Sequence, residues 1–183
     1  MTHAQDTSAP DSGASAHPAA PARPVFLVGE SGSFPPAATA AETIFRTWQG
    51  LPSLAAPALV WAHPRVAPAL IDHLRSRVLA ASAQTVADPS AVHAAVLGAV
   101  DQGAALLAGG LPSGRRAYAP TLLVHLPADA RLAQAQAPVG PLLGVYDAQL
   151  AAAPILAALT GSVTIHHLNA DGQLDSSPHP EAT

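Results

Sequence analysis

Gly103-Ala104-Ala105-Leu106-Leu107-Ala108-Gly109-Gly110, followed by Ala117-Tyr118-Ala119-Pro120-Thr121-Leu122-Leu123, is the stretch on which the reading of the fold turns. Each half is a short apolar run stopped by glycine or proline. Ala104 to Leu107 is expected to be a strand that ends in the Gly109-Gly110 turn, and Thr121-Leu122-Leu123-Val124 a second strand. Immediately upstream, Asp88-Pro89 offers an N-cap side chain followed by a proline at the first helical position. Val92, Val96 and Val100 then repeat at four-residue spacing and Gly103 closes the segment, which predicts a helix.

The same alternation continues in both directions. Toward the N-terminus, Val66, Leu70, Leu74 and Val78 mark an amphipathic helix, preceded by a buried strand at Leu59-Val60-Trp61-Ala62. Ala41, Ile44, Phe45 and Trp48 share a helical face, in a segment opened by Pro35-Pro36 and ended by Gly50 and Pro52. Val25-Phe26-Leu27-Val28 reads as the first buried strand. Toward the C-terminus, Leu142 to Tyr146 and Val163-Thr164-Ile165 are strands. Gln149 to Leu159 is helical in composition, with Pro154 expected to end or kink it. Short strands alternating with helices predict an α/β domain.

Composition narrows the function classes. Hydrophobic residues make up 49% of the 183 residues and charged residues 11%, which excludes wholesale disorder. All basic residues are arginine, and there is neither lysine nor cysteine. Thiol nucleophiles, disulfides, cysteine metal sites, lysine Schiff bases and P-loop lysines are therefore excluded. A net charge of -4 without a basic run argues against nucleic acid as a partner. No apolar run reaches the roughly 20 residues that span a bilayer, so no membrane association and a cytoplasmic location are expected. Residues 1–22, rich in Ala, Ser and Pro, are expected to be a disordered tail, residues 23–168 the folded region, and residues 169–183 a flexible tail.

Several segments, in order, resemble the aldehyde dehydrogenase family. Gly103 to Gly110 resembles its GA-x-(L/V)-L-x-GG segment, and Ala117 to Leu123 its (F/Y)-x-PT-(L/V)-L strand. Pro127 to Leu132 stands where the family has a similar loop. Gly140-Pro141-Leu142-Leu143 matches the end of EEIFGPVL, and Gly161 to His166 resembles G-x-V-x-I-N. Arg23-Pro24-Val25-Phe26-Leu27 is similar to the start of KPVTLELGGK, and Ala55-Ala56-Pro57 to the segment after GQ-x-C. The resemblance runs from Arg23 to His167. It implies an aldehyde dehydrogenase catalytic-domain-like sheet flanked by helices.

The resemblance also implies a reaction whose parts this sequence lacks. The nucleophilic cysteine position falls on Leu54 and the general-base glutamate on Val28. The glutamate that holds the nicotinamide ribose falls on Ala137, and the adjacent phenylalanine on Val139. The dinucleotide-binding domain would precede Arg23, so it too is expected to be lacking. No catalytic, cofactor-binding or metal residues are therefore expected, and no cofactor.

Other constellations read as structural. Gly29-Glu30-Ser31-Gly32-Ser33 follows a strand, but Ser33 stands where a G-x-S-x-G elbow needs its second glycine. His166, His167, Asp171 and His179 carry metal-ligating groups, yet adjacent strand residues point to opposite faces. Asp72, His73 and Arg75 fit a solvated helix face. His63 is expected to be capping or exposed, and His125 ends a strand with no orienting carboxylate nearby in sequence. The sequence reading is a catalytically inactive aldehyde dehydrogenase-like chain, either a partner of a full-length dehydrogenase or of itself, or a decaying gene product with no selected role. The competing reading is an accessory subunit of an aldehyde-oxidising enzyme whose active-site residues sit on another chain.

Overall fold

Six residues buried on both faces open the fold at Arg23–Val28 (β1). A strand with no solvent face needs a layer on each side, and the remaining elements supply the two layers. The computed structural model describes residues 22–30, 32, 34–50, 57–134, 137 and 139–175. Helix α1 (Ala37–Gln49) leads to β2 (Ala58–Ala62), and α2 (Ala67–Ala80) to β3 (Gln84–Thr85). Then come α3 (Pro89–Asp101), β4 (Ala105–Ala108), β5 (Ala117–Tyr118) and β6 (Thr121–Leu126). A 3-10 turn at Arg131–Ala133 precedes β7 (Leu142–Tyr146), α4 (Ala152–Ala158), β8 (Val163–Leu168) and β9 (Leu174–Asp175).

The main sheet has seven strands in the order β4-β6-β7-β2-β1-β8-β9. The five central strands run parallel, and β4 and β9 are antiparallel edges. β3 and β5 pair separately as a short antiparallel ribbon, which the sequence did not predict. Helices α1 and α2 cover one face, where Ile44, Trp48, Leu70 and Leu74 pack on Phe26, Val28, Val60 and Val145. Helices α3 and α4 and the 3-10 turn cover the other, where Val92, Val96, Leu132 and Ile155 pack near Leu27, Trp61, Leu123 and Tyr146.

Local chemistry explains the element ends. The Asp88 carboxylate accepts from the Ser90 and Ala91 amides at 2.9 and 3.0 Å, capping α3 as its sequence predicts. The Gly109-Gly110 turn joins edge strand β4 to the chain that leads back to β6. Gly109 sits at φ +74, and a Cβ there would run into the Pro120 carbonyl, leaving no room for a side chain. The Thr121 hydroxyl ties the turn down, accepting from Gly110 N–H at 2.8 Å and donating to the Ala119 carbonyl at 2.8 Å.

Two expectations are corrected. Pro154 does not end a helix over Gln149 to Leu159; it lies in the first turn of α4, where its missing N–H has no helical partner to lose. The stretch from Asn169, expected to be loose, turns back through Asp175. The Asn169 side chain accepts from the Asp171 and Gln173 amides, and β9 pairs with β8. Thr43 on α1 donates to the Gly172 carbonyl at 2.7 Å, so this hairpin is fastened to the helical layer.

Candidate functional site

Open parallel sheets bind ligands outside the carboxyl ends of their strands, where the chain changes direction across the sheet. Here β1 leads through α1, on one face, to β2 beside it. β7 leads through α4, on the other face, to β8 on the opposite side of β1. The switch point thus lies between the carboxyl ends of β1 and β8.

Two side chains meet there. Glu30 follows Gly29 (φ +79), whose left-handed backbone turns the chain sharply at the end of β1. Its carboxylate lies 3.1 Å from Nδ1 of His167 on β8. Both groups are partly exposed. A carboxylate-oriented imidazole can accept and return a proton, and sequence reading missed this pairing. Only the parallel register of β1 with β8 brings the two together; the available signal was that each stands at a strand's carboxyl end. Ser31, the hydroxyl next to Glu30 in sequence, is outside the described residues, as are Ser33 and His179.

The neighbouring residues are structural. The amide of Arg65 donates to His63 Nδ1 at 3.2 Å, which makes His63 the turn cap that sequence suggested. Phe34 lies between the His63 ring, 4.8 Å away, and the Arg65 guanidinium, 5.6 Å from its centroid. His166 points to the other face of β8 and stacks on Phe26 at 5.2 Å. Burial holds its imidazole below the ordinary value, and the adjacent His167 acts in the same direction. The two histidines cannot share a metal, and among the described residues no group of three His, Asp or Glu is arranged to hold one. His125, expected to lack a carboxylate, has Asp147 at 3.8 Å across the β6–β7 end, in an exposed position. Sequence missed it because the partner belongs to another strand.

Two further polar groups are buried under the 3-10 turn. The Arg23 guanidinium donates to the Ala133 and Gln134 carbonyls. Burial lowers its pKa from the ordinary value, and Tyr146 opposes that. Burial raises the Tyr146 phenol, and Arg23 opposes that in turn. Elsewhere, His93 Nδ1 lies 3.0 Å from the Tyr118 hydroxyl and 3.1 Å from the Gly110 carbonyl, so α3 is tied to the glycine turn. Desolvation pushes Tyr118 up to about 12.

Among the described residues, the positions that the resemblance assigns to chemistry differ in their surroundings. Val28 is fully buried in the core beneath α1. Ala137 lines a groove beside α3, and Val139 is exposed. Leu54 lies outside the described residues. No described helix is long and apolar enough to cross a membrane.

No family model matches the sequence, and no curated protein matches it. Solved structures do. A lactaldehyde dehydrogenase from Escherichia coli superposes with a TM-score of 0.55 at 17% identity, over 68% of this chain and 29% of that one. An NADP-dependent glyceraldehyde-3-phosphate dehydrogenase from Bacillus halodurans gives 0.59 at 19% identity, over 79% and 37%. An NAD-dependent benzaldehyde dehydrogenase from Corynebacterium glutamicum gives 0.63 at 16% identity, over 80% and 34%. The chain therefore spans roughly a third of the length of these enzymes, and it has an aldehyde dehydrogenase-type α/β fold.

Proposed function

We propose that this chain is a catalytically inactive aldehyde dehydrogenase-like domain that acts by association, with a full-length dehydrogenase or with itself, and not by turnover. The observation that carries the reading is the absence of cysteine from the whole sequence. Attack on an aldehyde near neutral pH calls for a thiolate, because a serine hydroxyl needs a strong adjacent base. The position of the general base supports the same reading. Val28 is apolar and fully buried, so neither its side chain nor its setting can take up a proton.

The nicotinamide cofactor that the fold implies does not fit the residues present. The groove that contains Ala137 is walled by Ala91, Ala94, Ala95, Gly98 and Leu132, with Arg131 and Gln134 as its polar side chains. Among the described residues no carboxylate lines it to accept from ribose hydroxyls. The test is to measure nicotinamide reduction by the purified chain with aliphatic and aromatic aldehydes and NAD or NADP, alongside melting temperature with each cofactor. No reduction and no saturable thermal shift are expected, since a ligand specific to the folded state raises the melting temperature. Cofactor-dependent reduction overturns the proposal.

A further inference from the structure

The two helical layers differ in how they meet solvent. On one, Glu42 of α1 pairs with Arg46 at 2.8 Å and with Arg77 of α2, and Asp72 and Arg75 add further charge. On the other, α3 carries no acidic, lysine or arginine side chain from Pro89 to Val100. Most of the large exposed hydrophobics gather around it. Leu97 and Val100 are on the helix itself, Leu106 is on the adjacent edge strand β4, and Leu111 follows the glycine turn, at 65% exposure. Val139 flanks Gly140, which abuts Val92 of α3. Large exposed apolar patches on soluble chains mark binding surfaces.

The surface is complementary to itself. By the 3.6-residue period, Leu97 and Val100 project from one flank of α3. Ala91, Ala95 and Gly98 open the other flank into a groove of about 530 Å³, closed by Arg131, Leu132, Gln134 and Ala137. Ala94 stands on the crown, at the groove's rim. Each end of the helix holds an acid and a base. Asp101 and Arg131 are at the carboxyl end, where the Arg131 amide bonds Gln102. Asp88 is at the amino end near Arg116, whose carbonyl accepts from Val86 N–H. We propose that the outer face of α3 is the surface through which two copies of this chain associate, about a two-fold axis running along the helix. That axis exchanges the flanks, so each Leu97 enters the other copy's groove, while Asp101 meets Arg131 and Asp88 meets Arg116 of the second copy. A two-fold contact requires this kind of self-complementary patch. The inference rests on the proposed association and names its partner and its surface.

The first measurement is light scattering during gel filtration over a range of concentrations, with a monomer–dimer equilibrium expected. Leu97→Glu is expected to weaken dimerisation roughly tenfold or more, as central apolar anchors do. Asp101→Arg and Arg131→Asp are each expected to weaken it, and the double variant to restore it. Because the chain has no cysteine, Ala94→Cys is a clean probe that leaves the charge pattern intact. Oxidation is expected to link two Ala94→Cys copies, and not two copies of Leu79→Cys on the opposite layer. A monomer at every concentration overturns the inference. So does a dimer that Leu97→Glu does not weaken and Ala94→Cys does not cross-link. An aldehyde-oxidising dimer cross-linked at this position would overturn the inactive reading alone, and an inert monomer would overturn the interface alone.

Discussion

Replacing Gly109 by alanine should be among the most damaging single-methyl additions in this chain. Gly109 has φ +74, where an L residue costs about 1–2 kcal/mol. Its new Cβ would collide with the Pro120 carbonyl and stand 2.8 Å from the Thr121 hydroxyl. Neither neighbour is the loose end of a side chain, so overpacking adds about 1–3 kcal/mol. The sum, about 2–5 kcal/mol, is a large fraction of the roughly 5–15 kcal/mol that holds an ordinary domain. Urea denaturation, followed by the fluorescence of buried Trp48 and Trp61, measures it. With a mid-range slope of about 2 kcal/mol per molar, the midpoint should fall by roughly 1–2.5 M. Gly32→Ala is the control, since Gly32 has φ +80 and a Cβ added there would meet nothing within 4 Å. That variant should show only the backbone cost. If Gly109→Ala loses no more stability than Gly32→Ala, the close approach to Pro120 does not hold the turn and the reasoning fails.

Three further outcomes follow from the same structure. Thr121→Val strands the Gly110 N–H and the Ala119 carbonyl, which should cost about 1–3 kcal/mol in urea denaturation, whereas Thr121→Ser should recover most of it; equal losses in the two would discount the hydroxyl. His166 is held below its ordinary value by burial, so the unfolded chain takes up a proton that the folded chain resists, and stability should fall as pH drops through about 6.5. His166→Gln should flatten that slope between about pH 7 and pH 5, and an unchanged slope would show that other groups carry it. Leu54→Cys should give no cofactor-dependent aldehyde oxidation, because a nucleophile without its base and cofactor site restores little; turnover in that variant would show that the missing parts were misplaced.

Much of the fold was legible because its signals are local. The Asp88-Pro89 start, the four-residue repeats of α2 and α3 and the apolar runs of β1, β2, β6 and β7 each need only neighbours in sequence to declare themselves. Pro154 misled because a proline is tolerated in a first turn and disruptive later. Its effect depends on where the helix starts, and no N-cap side chain marks that point at Ala151.

The sequence by itself determined the chemistry the chain lacks. Without cysteine or lysine no arrangement of the backbone can supply a thiolate or a lysine amine, and the apolar side chain of Val28 cannot act as a base in any fold. It also determined the alternation of strands and helices, since periodicity is written residue by residue. What only the tertiary structure decided is which distant residues meet. Parallel pairing of β1 with β8 sets His167 against Glu30, β6 beside β7 sets His125 near Asp147, and the antiparallel return of β9 turns an apparent tail into a fastened hairpin. The open apolar face of α3 belongs with these. Its Val92 and Val96 announce a buried side, but that no described element covers Leu97 and Ala94 follows from where the other elements pack, which short-range pattern does not encode.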